Sequence, residues 1–364
     1  MSVRVALVGA GGVAVAHARA IQETPGLKLS AVVSADLRRS RALLEAVEAP
    51  NAIAVTDLDD ALAEGVDLVG VCVESGRHAD VASRVLDAGV HVVIEKPLDA
   101  SLARARGLAT RYGQSTGGPI AAVVSQRRLG DGLPELRARL AATRIAGAFW
   151  SAPWRREASY YTGRPWRGTW RADGGGALMN QGVHLVDLML AVFGSPESIG
   201  GKTSRLRHLG IEAEDTGTLV AEYPGWLATV LVSTAIASGS AWRARFQTID
   251  GELLYEDDQL RSEPMMGVGP AAFPDPTRWT SSSPAGLHRE HRRVYADVLA
   301  AILGEHAPAA GLADGFRAVA AVKSVYIAER LGHPVEFEAV LRGDFDDLDP
   351  SAPVPFSQTR GTTI

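Results

Sequence analysis

The sequence predicts an α/β protein: a doubly wound parallel sheet over its first third, then a second unit built on an antiparallel meander. Three observations carry this. Short apolar runs alternate with helical stretches between residues 3 and 125. A glycine-rich turn follows the first of those runs and opens the first helix. Beyond residue 145 the apolar runs succeed one another across tight turns. At 364 residues the chain exceeds the size at which one core usually stops growing, so two domains are expected.

The first strand is residues 3–8, VRVALV, a run of the kind covered on both faces. Gly9-Ala10-Gly11-Gly12-Val13-Ala14 follows, a G-x-G-x-x-A turn, and then an alanine-rich helix through Gln22. A second strand, Leu29 to Val33, closes the βαβ unit and ends near Asp36. Gly9 permits the tight turn, Gly11 lets a pyrophosphate reach the backbone, and Ala14 keeps helix and strand close. Gly12 and Val13 complete that candidate dinucleotide loop. Asp36 is placed to accept from a ribose hydroxyl, which favours NAD. Ser34, however, stands where an acid often sits, and Arg38 and Arg39 can meet the extra phosphate of NADP.

The alternation continues with a strand over 66–73, a helix from Arg77 to Ala88, a strand over 90–97, a helix from Leu102 to Tyr112 and a strand over 120–125. Ligands of such sheets bind beyond the carboxyl ends of the strands. Val73, Glu74, Ser75, Glu95, Lys96 and Pro97 therefore join the glycine turn along one edge, over one cofactor. Lys96 is the sharpest of these. Directly after a buried strand its charge can hold a negative group or give a proton to a carbonyl. The plainer alternative is a surface lysine paired with Glu95.

In the second half, strands are expected over 146–152, 216–223, 226–234, 242–249 and 251–257, with Pro224-Gly225 and Asp250-Gly251 as turns. Between residues 174 and 193 lies a helix that is apolar nearly all round, hence buried. At about 100° per residue, Asn180, His184 and Asp187 fall at roughly 0°, 40° and 340°, one narrow polar stripe that must find partners. It reads either as a packing trio or as a functional one. Tyr160, Tyr161, Trp166, Arg167, Trp170 and Arg171 just before it suit a sugar, whose flat faces meet aromatics and whose polar groups meet Arg. Core packing is the alternative for Trp166 and Trp170. The Gly-, Pro- and Ser-rich stretch 262–286 reads as a long loop over the site.

Composition excludes several classes. The chain is 46% hydrophobic and 22% charged with a net charge of −5. Basic pairs such as Arg127-Arg128, Arg155-Arg156 and Arg292-Arg293 are isolated, so no nucleic-acid surface is expected. Cys72 is the sole cysteine, which leaves no intrachain disulfide and no cysteine-based zinc site. No His and acidic cluster has a metal-ligand spacing, so no metal is expected. No apolar run approaches the roughly 18 residues that span a bilayer, and no targeting segment opens the chain; a cytoplasmic protein is expected.

Taken together, Gly9-x-Gly11-x-x-Ala14 with His17, His78 with Ala88-Gly89, Glu95-Lys96-Pro97 and GGGALMNQGVHLVDL resemble the Gfo/Idh/MocA oxidoreductases. YYTGRPWRGTW (160–170), His291 with Asp297, Asp314-Gly315 and Gly332-His333-Pro334-Val335 fit as well, in the right order from residue 3 to 338. The resemblance implies a Rossmann domain over 1–125, an α/β domain with a large open, mostly antiparallel sheet over 126–340, and a loose tail over 341–364. It implies a site between the domains and a homodimer or homotetramer through the open sheet face. It makes Lys96 and His184 the catalytic pair, with Asn180 holding the substrate hydroxyl where many members carry Asp. His78 joins the cofactor site and His291 the substrate site, and the peptide before Pro97 is expected to be cis. The implied reaction moves a hydride between NAD or NADP and a secondary alcohol or ketone of a sugar, sugar derivative or cyclitol. Two other readings stand beside it: an NAD-dependent glycoside hydrolase working by transient oxidation, and a non-catalytic NAD(P)-sensing regulator.

Overall fold

A computed structural model of the protein describes residues 2–113, 117–261 and 284–348. Strands β1 (Val3–Val8), β2 (Leu27–Val33), β3 (Ile53–Val55), β4 (Leu68–Val71), β5 (His91–Ile94) and β6 (Ala121–Val123) form a wholly parallel sheet. Its order is β3-β2-β1-β4-β5-β6, so the direction of winding reverses between β1 and β4 and opens a crevice at their carboxyl ends. Helices α1 (Gly12–Glu23), α2 (Leu37–Ala46), α3 (Leu58–Ala63), α4 (His78–Asp87) and α5 (Leu102–Tyr112) connect the strands. The sequence reading did not anticipate α2, β3 and α3. β3 is a three-residue edge strand, IAV, with no buried residue, too short for an alternation to show. Helices α2 and α3 announce themselves only by their caps: Asp36 accepts from the Arg38 N–H (3.0 Å) and Asp57 from the Asp59 N–H (2.9 Å).

The second sheet contains β7 (Ile145–Pro153), β8 (Ser198–Ser204), β9 (Thr216–Tyr223), β10 (Trp226–Ser233), β11 (Arg243–Thr248), β12 (Gly251–Glu256), β13 (Gln259–Arg261) and β14 (Val335–Glu336). The order is β13-β12-β11-β7-β10-β9-β8-β14, and every pair is antiparallel except β7 with β10. Alternation along β7 and β10 buries Trp150, Ala152, Ala228 and Val230 on the inner face and leaves Phe149 and Leu227 exposed on the outer one. Strand β8 had no signal because SIGGKTS holds one large apolar residue.

Helices α6 (Leu133–Ala141), α7 (Ala158–Thr162), α8 (Val183–Phe193), α9 (Pro284–Ile302), α10 (Leu312–Leu331) and α11 (Phe337–Arg342) complete the described chain. Helix α10 packs against β8, α8 and α5, so it bridges the two sheets. Helix α9 returns to the first sheet, where Val294, Tyr295 and Val298 share a core with Val5, Leu7, Ala14 and Ile21. The loose tail expected from residue 341 is corrected over its first part. Arg106 donates to the carbonyls of Val340 and Leu341 and pairs with Asp346, while Phe345 and Leu348 pack on the main core. Residues 349–364, and residues 262–283 of the expected long loop, lie outside the described residues. No described helix is long and apolar enough to cross a membrane.

Candidate active site

A cavity of about 1100 Å³ runs from the carboxyl edge of the parallel sheet to the second unit. At one end it is lined by Gly9, Gly11, Gly12 and Val13 between β1 and α1. Gly9 takes φ +108°, and a Cβ there would lie 2.4 Å from the Cys72 carbonyl oxygen, so only glycine lets β1 turn this close to β4. Gly11 and Gly12 have nothing within 4 Å of a built Cβ: their backbone faces open space at the start of α1, where N–H groups and helix dipole favour a pyrophosphate. The fit to a dinucleotide is therefore made by the chain itself. Ala14 does not line the cavity; it is fully buried and holds α1 against the sheet.

Ser34 and Arg39 line the ribose end. Asp36 does not. Its carboxylate caps α2 and pairs with the Arg38 guanidinium at 3.1 Å, which holds its carboxyl below the usual range. Val73, Glu74, Ser75 and His78 line the middle as expected. His78 Nδ1 lies 2.7 Å from the Pro97 carbonyl and its Nε2 3.1 Å from the Val73 carbonyl, so the ring sits between two strand-end loops. Pro97 itself is off the cavity, buried behind a cis peptide to Lys96.

Glu95 is buried beneath this edge, and both His17 Nε2 and His291 Nε2 lie 2.9 Å from its Oε1. His291 Nδ1 faces the Leu287 carbonyl at 2.8 Å. Both partners of His291 only accept, so both ring nitrogens carry protons and the ring is an imidazolium paired with Glu95. The Glu95 carboxylate accordingly raises the His291 pKa against the effect of burial. His17 instead meets the Tyr295 hydroxyl at 2.9 Å, and burial lowers it to about 4, so it is neutral. Sequence spacing showed no such cluster, yet tertiary structure brings three potential metal ligands within 4.8 Å of one another. Their distances are those of hydrogen bonds, and the donors and acceptors balance as they stand. His291 touches the cavity, but as the partner of Glu95 rather than as a free donor.

The glycine triplet before α8 is fixed from below. A Cβ on Gly176 would fall 1.7 Å from the Glu214 carbonyl oxygen. The buried Glu214 carboxyl accepts from Gly176 N–H (3.1 Å), Leu178 N–H (2.9 Å) and the Tyr326 hydroxyl (2.9 Å). Burial pushes its pKa up to about 7. Residues Leu178–Gly182 then form a π-helical turn rather than the regular helix expected. The turn changes the stripe. Lys96 Nζ donates to the Asn180 carbonyl (2.8 Å), while the Asn180 side chain gives its N–H to Asp173 (2.8 Å) and accepts from the Tyr160 hydroxyl (3.2 Å). Asp187 leaves the stripe altogether. It makes a bidentate pair with Arg128 (2.7 and 2.9 Å), so of the two readings of the stripe the packing one holds for Asp187.

Lys96 and His184 both line the cavity. Burial lowers the Lys96 pKa, opposed by Glu95 and Asp173 and reinforced by Arg156 and Arg167. Burial, with the Lys96 and Arg127 charges, holds His184 well below its usual value, so its ring is neutral. Asp173, directly before the triplet, was missed by sequence reasoning. It is buried, accepts from Gly168 N–H (2.8 Å) and Asn180, and is raised by burial to about 6. Trp166 and Arg167 line the substrate end, as do Trp154, Arg156, Tyr160 and Trp242. Tyr161 does not. It is buried with its hydroxyl 2.8 Å from Thr234 Oγ1, which corrects its assignment to substrate. Trp170 packs edge-on against Tyr326, outside the cavity.

Fold and site together define a dinucleotide-binding oxidoreductase architecture, and comparison with known proteins agrees. Residues 3–115 match the oxidoreductase family, NAD-binding Rossmann fold, of Gfo/Idh/MocA proteins, and residues 140–253 match the Gfo/Idh/MocA C-terminal domain. The chain belongs to the Gfo/Idh/MocA oxidoreductase family. It is 27% identical over 206 residues to an uncharacterized oxidoreductase of Schizosaccharomyces pombe, covering 53% of this chain and 54% of that protein, about half its length. It is 24% identical over 346 residues to D-apiose dehydrogenase of Paraburkholderia graminis, covering 92% and 90%. The WlbA dehydrogenase of Bordetella pertussis, solved with NADH and UDP-GlcNAcA, superposes with a TM-score of 0.79 at 24% identity, covering 92% of this chain and 97% of that one. That likeness establishes the shared fold.

Proposed function

We propose that the protein is an NAD(P)-dependent dehydrogenase acting on a secondary alcohol or ketone of a carbohydrate-like molecule. The observation that carries this reading is the meeting of Lys96, from the end of β5, with the π-helical turn and α8 in one cavity that begins at the glycine turn. When bound, the nicotinamide supplies the hydride chemistry. The chain's own residues do the rest. Gly9, Gly11 and Gly12 admit the pyrophosphate, and Val73, Glu74 and His78 shape the wall beside the ring. Lys96, lowered by burial, takes or gives the proton of the reacting hydroxyl. The neutral His184 ring accepts or donates a hydrogen bond to the same oxygen. Asn180 holds Asp173 and Tyr160 in place, so it positions rather than exchanges a proton.

At the ribose end Ser34 and Arg39 line the wall and Asp36 is turned away, so the acid that would favour NAD is missing. Arg39 suits a 2′-phosphate, and NADP binding at least as tight as NAD is the expected result of a fluorescence titration. A second copy of the chain covers the exposed Phe149 and Leu227 on the outer face of the second sheet, which sedimentation tests. The retained Lys96 and His184 weigh against a purely regulatory role.

Lys96→Ala tests the central assignment. Turnover of any accepted sugar or cyclitol is expected to fall by at least about 10³-fold, with dinucleotide affinity within about threefold of the parent. Surviving turnover in this variant overturns the role of Lys96.

A further inference from the structure

Arginines distribute unevenly around the cavity. Arg127, on its wall, pairs with Asp258 (3.0 Å) and Glu290 (3.3 Å), while Arg155, off the cavity, pairs with Glu157 (2.7 Å). Arg156 and Arg167 also line it, yet no described carboxylate lies within ion-pair distance of either. Arg167 stacks 3.8 Å from the centre of the Tyr160 ring and donates to the Tyr160 carbonyl (3.0 Å); Arg156 lies 5.1 Å from the same ring. Both side chains are half-buried, and the Nε of each is buried without a partner.

Their place relative to the reacting group follows from contacts. Lys96 Nζ binds the Asn180 carbonyl, Asn180 Oδ1 binds the Tyr160 hydroxyl, and Tyr160 carries the two guanidinium groups. Both depress the Lys96 pKa, so their charge is felt there. Asp173, a carboxylate that feels the Arg167 charge, already serves Gly168 and Asn180. Cations gathered in a partly dry wall are costly unless an anion arrives. A pyrophosphate seated on the glycine turn is served by α1, on the other unit, and leaves this charge uncompensated.

We infer that the substrate is an anionic carbohydrate, anchored by Arg156 and Arg167 through an oxyanion group a few ångströms from the carbon that reacts beside Lys96. The inference rests on the dehydrogenase reading for the word carbohydrate; the anion requirement rests on the arginines alone. A planar guanidinium fork fits a carboxylate or a phosphoryl group, and both present that chemistry. Tyr160 and Trp166 supply the apolar wall for the sugar face.

The test uses the full chain loaded with reduced cofactor. Binding is followed by the fluorescence of the cavity tryptophans for a uronic acid, a sugar 1-phosphate, a sugar 6-phosphate, a nucleotide diphosphate sugar and their neutral parents. At least one anionic probe is expected to bind about 10- to 100-fold more tightly than its neutral parent, and Arg156→Met or Arg167→Met to erase that margin. Arg156→Lys and Arg167→Lys, which keep charge without the fork, restore part of it and guard against misfolding, checked by thermal midpoint. The carboxylate and phosphoryl arms tell which group is held. Equal binding of neutral parents, no binding by any probe, or a margin untouched by the arginine variants overturns the inference. Arginine-dependent anion binding with no Lys96-dependent hydride transfer leaves the anion site standing and sinks the dehydrogenase reading instead.

Discussion

Asn180→Asp is the substitution whose consequence the structure defines most sharply. The Asn180 amide N–H donates to Asp173 at 2.8 Å, so the variant sets two buried carboxyl groups against each other. At an effective dielectric of about 20, unit charges roughly 4 Å apart repel by about 4 kcal/mol, equivalent to about 3 pKa units. The pair therefore keeps one shared proton well above neutrality. In the parent, burial raises Asp173 from 3.8 to about 6. A carboxyl raised on folding gives stability that is full below its unfolded pKa and is lost as pH rises through its folded one. The parent's loss through this group ends near pH 6, whereas the variant keeps losing about 1.4 kcal/mol per pH unit beyond it. Between about pH 6 and about pH 8 the variant should fall behind by about 3 kcal/mol. Urea unfolding midpoints across that range measure this directly. The variant's activity should also lose its alkaline side as the shared proton leaves. Stability curves that stay parallel within about 0.5 kcal/mol refute the assigned contact between the two side chains.

Two further outcomes are expected. Gly9→Ala forces a Cβ to 2.4 Å from the Cys72 carbonyl at φ +108°, so dinucleotide affinity should weaken by at least about tenfold in a fluorescence titration, with the second unit unaffected. Glu214→Gln puts a single oxygen where three donors converge, costing about 1–3 kcal/mol throughout. It also removes a titration: the parent loses stability between pH 4.5 and about 7, where unfolded chains have ionised and the buried carboxyl has not. Chemical denaturation at both ends of that window should show a steeper fall in the parent than in the variant, which keeps the Asp173 titration alone of the two.

Much of the fold was written locally. The alternating runs gave β1, β2, β4, β5 and β6 to within a few residues, and the two turn dipeptides located the hairpins of β9–β10 and β11–β12. Strands β3, β13 and β14 were not legible because two or three residues are too few to show an alternation, and β8 because SIGGKTS holds one large apolar residue. In the site, the glycine turn, Lys96 and His184 stood out as residue types at strand and helix positions where they need a reason. Tyr161 and Asp187 had the right type in the wrong orientation. A helical wheel assumes regular geometry, and the π-helical turn at Leu178–Gly182 breaks that assumption between Asn180 and His184.

The sequence by itself determined where backbone must turn tightly, which segments must be buried, and which charged residue stands at a buried strand's end. Those properties depend on a few neighbouring residues. Tertiary structure alone decided which polar groups meet. Glu95 joins His17 across 78 positions and His291 across 196, Arg128 takes Asp187 across 59, and Lys96 reaches Asn180 across 84. Protonation follows from those meetings and from burial: Glu95 raises the His291 pKa, while burial lowers that of His17 to about 4. Spacing along a chain carries no record of such partners, because burial and hydrogen bonding act through space.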